Sequence, residues 1–240
     1  SDFKAFITAF DEKVFDSNNP IDYSLFYLRW SIYWKTIITT AHHSGYASID
    51  DLKLSVRRYF YLFWISGFTL TRIKQTSFNL IKWIKEKKLI NEIKQELEKS
   101  IQENNIQERV ERALAGNVYQ EAWCKPLLTL IEYNQTDKPD YIWLGDRSIH
   151  VEHVLPQSFE RIYGWKHIIE GDQEGKALVH TLGNLTLLSG KKNIEASNDS
   201  FENKVSIYQG KGKHGNSDDK ITSFRLTQQI FDDYNRKKFT

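Results

Sequence analysis

Over the first 135 or so positions the apolar residues recur at helical spacing, and after Asn134 they stop doing so. That change of texture constrains the chain more than any single residue. Phe78, Ile81 and Ile84 form one series three residues apart, and Ile90, Ile93 and Leu97 form another. Charges fill the positions between them, as on a helix with one solvated face. "IDYSLFYLRWSIYWKTIITTAHHSG" is apolar on most faces and stops at Gly45, and "SIDDLKLSVRRYFYLFWISG" starts at Ser48 and stops at Gly67. Both read as buried helices with ordinary start and stop signals. A single helix is expected over 71–103, and another over 119–134 that kinks or begins at Pro126.

Past Asn134 a turn-rich segment leads into two short β-like runs, "SIHVEHVL" at 148–155 and "NLTLLS" at 184–189. Between them lies an irregular stretch. Short helices are expected over 190–208, a Gly/Lys loop over 208–220, and an amphipathic helix at the end. The fold class is therefore mainly α with a small α+β part, divided as a helical domain over 1–140 and a strand-containing domain over 141–240.

Composition excludes several classes. Aromatic residues make up 14% of the 240 positions, enough for a substantial core, and Tyr59, Phe60, Tyr61, Phe63 and Trp64 read as core rather than as a base-stacking platform. The lone Cys124 excludes a disulfide framework and a multi-cysteine zinc site, and reads as a small buried hydrophobe beside Trp123. One cysteine in a chain of this size points to a reducing cytoplasm. The longest apolar run, "YFYLFWISGF", is too short to span a membrane. A net charge of +2 does not by itself announce a nucleic-acid binder, so any phosphate-binding surface must arise from local clustering.

The stretch that carries chemistry is "VEHVLPQSFE" at 151–160. Glu152 and His153 sit at the end of a short strand, and Pro156 cannot continue a central strand. Neighbouring strand residues point to opposite faces, so both can serve one site only if the backbone turns there. Asn184 opens the second strand and Asn193 follows nine positions later. Strand, loop, strand, helix is the order of the ββα-metal finger. Phosphodiester hydrolysis requires a base for water, a hard cation on the phosphate, and a group that orients the base. Histidine suits the first role, and a carboxylate with an amide oxygen suits the second.

"EHVLPQSF", "GNLTLL" and "KKNIEASN" together resemble the C-terminal HNH (His-Me finger) domain of the GmrSD-type modification-dependent restriction endonucleases. The first of them is similar to the "DHIVPQSF" motif of RNA-guided CRISPR nucleases. "WCKPLLTLIEY" and "SNDSFENKVSIY" extend the resemblance on either side. The resemblance implies an N-terminal helical bundle followed by an HNH finger and a C-terminal helix, acting as a metal-dependent DNA endonuclease or nickase in defence against foreign, phage or modified DNA.

Residue by residue, it implies that His153 is the general base and that Asn184 orients it. Glu152 and Asn193 would hold the metal. Asn193 stands where many HNH proteins carry His, which favours Mg²⁺ or Mn²⁺ over Zn²⁺. Lys204 lies where the family often has a lysine near phosphate, and Lys191 and Lys192 beside Asn193 are candidate DNA contacts. A double-strand break would take a homodimer or two successive nicks. The family's N-terminal nucleotide-hydrolysing half, with its "DGQQR" kind of motif, is not found in this chain and is expected as a separate partner.

Bland readings compete at each position. His153 could be a satisfied structural histidine, Asn184 a turn residue after Gly183, and Asn193 a helix N-terminal residue. The lysines could be solvated, and Lys211, Lys213 and His214 could belong to a merely mobile loop. His180 reads as packing or a cap before the second strand. The competing function is a non-cleaving DNA-binding or protein-interaction module with a degenerate finger.

Overall fold

The computed structural model describes residues 2–142, 148–166, 169, 172–212 and 220–238. The chain divides into two compact units, Ser1–Ala113 and Leu114–Thr240. The boundary expected near residue 140 falls inside the second unit. Among the described residues the protein is mainly helical, with one two-stranded antiparallel sheet.

The first unit comprises α1 (Asp2–Glu12), α2 (Pro20–Leu25), α3 (Ser31–His43), α4 (Ile49–Ile65), α5 (Leu70–Lys85), α6 (Ile90–Glu103) and most of α7 (Ile106–Ala115). Its centre is α4. Leu52, Val56, Phe60 and Phe63 of that helix are fully buried, with Trp34, Ile37 and Ile38 of α3 and Ile73, Leu80 and Ile84 of α5. Each such side chain contributes about 1.5–3 kcal/mol relative to exposure. The aromatic run 59–64 is core, as its density of large apolar residues predicts. The polar tips that go in with it are satisfied. Tyr59 Oη lies 2.9 Å from Thr76 Oγ1 and 3.0 Å from Ser100 Oγ, and Tyr61 Oη donates to Ser24 O at 3.1 Å. Lys53 and Asp22 form a buried ion pair at 2.7 Å.

Three helical expectations need correction. The helix expected over 21–45 is two, α2 and α3, because Trp30 takes a left-handed conformation at φ 61°. The helix expected over 71–103 is also two, because Lys87 turns at φ 58°. Neither residue is Gly or Asn, so the usual stop signal is missing from the sequence. Within α5 the buried stripe is Ile73, Thr76, Ser77, Leu80 and Ile84, whereas Phe78 is 57% exposed. The polar Thr and Ser hide the true phase. Gly45 and Gly67, by contrast, do end α3 and α4 with φ 62° and 73°, a conformation that costs glycine little.

In the second unit α8 (Cys124–Tyr133) carries Pro126 in its first turn, where the missing N–H is harmless. Strands β1 (Ile149–His153) and β2 (Leu185–Ser189) pair antiparallel, with Glu152 opposite Thr186 and His153 opposite Leu185. Between them come α9 (Tyr163–Lys166) and α10 (Asp172–Leu178). After them come α11 (Gly190–Ala196), α12 (Phe201–Tyr208) and α13 (Arg225–Lys238).

Two apolar clusters hold this unit together. Leu188, Ala196, Val205, Ile207, Tyr208 and Phe231 pack behind the sheet, and Leu155, Phe159, Trp165 and Val179 pack under the connection. Phe201 touches both clusters. Helix α13 is anchored by Glu132 of α8, whose carboxylate accepts the N–H groups of Arg225 at 2.7 Å and Leu226 at 2.9 Å. A carboxylate there satisfies orphan donors and complements the helix dipole. Cys124 is buried, and burial pushes its thiol up to about 11, so it behaves as a hydrophobe. Among the described residues no helix is long and apolar enough to cross a membrane.

Candidate active site

β1 ends at His153, and the chain turns there instead of continuing as strand. Asn184 makes that turn. Its Oδ1 accepts the N–H of Leu155 at 2.6 Å, and its Nδ2 donates to Leu155 O at 2.9 Å and to Val179 O at 2.8 Å. Its backbone carbonyl accepts Val154 N–H at 2.9 Å. Asn184 thus grips the two residues after His153 and ties them to the end of the irregular connection. Among the described residues its side-chain hydrogen bonds reach no imidazole, so any orienting action on His153 passes through the backbone.

With the chain turned in this way, Glu152 and His153 both line one cleft of about 540 Å³, together with Asn193, Lys204, Tyr119 and Arg161. Glu152 is 5% exposed. Its Oε1 accepts from Lys204 Nζ at 2.6 Å and from Tyr208 Oη at 3.1 Å. Burial raises the Glu152 carboxyl and lowers the Lys204 ammonium, and their direct pairing opposes both shifts. Lys204 also donates to the carbonyl of His153 at 2.6 Å. One lysine therefore fixes both the carboxylate and the backbone of its neighbour.

His153 is buried, and its imidazole is pushed down to about 4, first by burial and then by His180 and Lys204. It is therefore neutral at pH 7. Its Nε2 lies 3.2 Å from Nδ1 of His180. The ring of Tyr119 lies over both imidazoles, with centroids 4.2 Å from His153 and 5.6 Å from His180.

Asn193 projects from α11 into the same cleft. Its Oδ1 is buried and has no hydrogen-bond partner among the described residues. An orphaned amide oxygen costs about 1–3 kcal/mol if nothing fills the gap. In a cleft that also holds a carboxylate, such an oxygen is the hard donor that Mg²⁺ or Mn²⁺ takes. Among the described residues no three His, Cys, Asp or Glu side chains converge as a metal cluster. A cation here would rest on Glu152, the Asn193 amide, water and its substrate.

Lys192 and Lys204, expected as DNA contacts, both engage partners inside the fold. Lys204 is fully buried against Glu152, and Lys192 is 8% exposed, with Nζ donating to Ile207 O at 2.8 Å. Lys191 and Arg161 are exposed, and Arg161 lines the cleft. Lys213 and His214 lie outside the described residues, as does His167. His180 corrects a second expectation. It does precede β2 and its ring packs on Tyr119, but the same ring is also the partner of His153. The signal is its place four residues before Asn184 in "HTLGN". For Tyr119, distant in sequence, there is no signal.

The model of the family described as GmrSD restriction endonucleases, C-terminal domain, matches residues 65–240. Comparisons with curated proteins and with solved structures give no significant match.

Proposed function

Because the chain belongs to the family of GmrSD restriction endonuclease C-terminal domains, we infer that the Glu152–His153 cleft hydrolyses phosphodiester bonds of DNA with a hard divalent cation, Mg²⁺ or Mn²⁺. One observation carries this reading. A neutral imidazole, a carboxylate and an amide oxygen with no partner among the described residues line one cleft, on elements that follow the strand, strand, helix order expected of such a finger.

His153 takes the proton from the attacking water. The ring is neutral at pH 7, and the Asn184 grip on Leu155 holds the strand end still. Glu152 and Asn193 would hold the cation, which supplies charge stabilisation at the phosphate and at the leaving oxygen. Lys204 and Tyr208 hold Glu152 Oε1 in place. Arg161 and Lys191, both exposed, contact the DNA backbone in place of the internal lysines. A single such centre nicks one strand, and a double-strand break takes a homodimer or two nicks. Restriction of phage or modified DNA, alongside a nucleotide-hydrolysing partner domain, follows from the family and not from this cleft.

The ion pair between Lys204 and Glu152 favours the second reading, a DNA-binding module that does not cleave, because a cation at Glu152 must coexist with a neighbouring ammonium. Nicking of supercoiled plasmid separates the two. The nuclease reading requires nicking that depends on Mg²⁺ or Mn²⁺, stops with EDTA and is lost in His153→Ala. DNA retained without cleavage by either protein favours the module.

A further inference from the structure

We propose that His180 is a positioning residue for His153. It accepts a hydrogen bond from the Nε2–H of His153 and so fixes the tautomer that leaves Nδ1 of His153 bare for the attacking water. The inference deepens the nuclease reading and rests on it for its catalytic consequence, though the tautomer itself can be tested without it.

A neutral imidazole carries one ring proton, and which nitrogen bears it is set by the hydrogen bond the other makes. The 3.2 Å contact between His153 Nε2 and His180 Nδ1 needs one hydrogen between the two nitrogens. If His180 supplied it, His153 would carry its own proton on Nδ1 and could not act as a base there. If His153 supplies it, Nδ1 holds a lone pair. Nε2 is already engaged, so Nδ1 is the nitrogen left for water.

The surroundings make this contact a fixed one. The two rings meet nearly edge to face, at 75° and 5.2 Å between centroids. Tyr119 stacks on His180 at 20°. The carbonyl of His180 accepts Val118 N–H at 2.9 Å, which ties the residue next to Tyr119 to the residue that pairs with the base. Thr181 O accepts Asn184 N–H at 3.1 Å, so the imidazole partner and the backbone grip belong to one turn. His153 is thereby held twice, at its ring by His180 and at its strand end by Asn184.

The test uses the whole chain with ¹⁵N-labelled histidine, and His153→Asn identifies the His153 signals. Wild type is expected to show His153 protonated on Nε2 and bare on Nδ1. His180→Ala is expected to lose that preference and to slow single-turnover nicking about 10- to 100-fold, the usual loss for an outer partner of a catalytic group, with DNA affinity unchanged. His180→Asn, whose amide oxygen can occupy the place of Nδ1, is expected to recover most of the rate and the tautomer. Protonation of His153 on Nδ1 in wild type would overturn the proposal, even if His180→Ala fails to fold. So would an unchanged tautomer in a folded His180→Ala, or an Asn variant no better than Ala. If wild type does not nick at all, the nuclease reading fails, and the tautomer spectrum still decides the role of His180.

Discussion

Replacing Asn184 with Ala removes three side-chain hydrogen bonds at once, in a place with little access to water. The Leu155 N–H loses its partner entirely, and the carbonyls of Leu155 and Val179 each lose a donor. At about 1–3 kcal/mol for each stranded group, with the carbonyls at the low end, the expected loss is about 3–5 kcal/mol. Total stabilities of about 5–15 kcal/mol make that a large fraction. It corresponds to a fall of roughly 10–20 °C in the melting temperature of the second unit.

Asn184→Asp probes the same turn with the donor removed and the acceptor kept. It keeps an oxygen for Leu155 N–H but sets a carboxylate oxygen against two carbonyls. The folded state should then hold that carboxyl protonated above its unfolded value of about 3.9. A carboxyl raised on folding contributes most at low pH and loses that contribution as pH rises through its folded value. Asn184→Asp should therefore be closest to wild type near pH 4 and worst near pH 8. Calorimetric melts of the three proteins at both pH values provide the check. An Asn184→Ala protein melting within about 2 °C of wild type, less than about 1 kcal/mol, would refute the claim that this side chain makes the turn.

Other outcomes follow from the same geometry. His153 is held down to about 4 from 6.5, so the unfolded chain takes up a proton in that window that the folded chain refuses. Stability should fall as pH drops from 6.5 to 4, less steeply in His153→Asn, as urea titrations across that range would reveal. Lys204→Met strands the Glu152 carboxylate and should cost about 3–5 kcal/mol in denaturant unfolding, whereas loss of a solvated lysine would cost almost nothing. A Cβ at Gly175 would lie 2.2 Å from the Phe159 ring, so Gly175→Ala should destabilise by about 1–3 kcal/mol through overpacking. Arg161→Ala should lower DNA affinity for all sequences alike and reduce the slope of log affinity against log salt by about 1, measured by fluorescence anisotropy.

The helical and strand-bearing parts are legible because their signals are local. Apolar spacing marks α4 and α6, Gly45 and Gly67 mark stops, and Pro156 marks the end of β1. The breaks at Trp30 and Lys87 are not, since a left-handed turn on a residue other than Gly or Asn leaves no mark. Within the cleft, Glu152, His153 and Asn193 are legible from residue type and spacing. The internal fate of Lys192 and Lys204 is not. A lysine reads as solvated until packing supplies a buried partner, here Glu152 for Lys204 and the Ile207 carbonyl for Lys192. The pairing of His180 with His153 is equally hidden, because it depends on where a long irregular connection returns.

On the nuclease reading, His153 removes the proton from the water that cuts DNA. The decisive assay for that role is the single-turnover rate of plasmid nicking in Mg²⁺ by His153→Ala beside wild type, with matching melts to show that both are folded. His153→Ala should be slower by about 10²- to 10⁴-fold, the range for removing a general base. Nicking by the folded mutant at the wild-type rate would contradict that role.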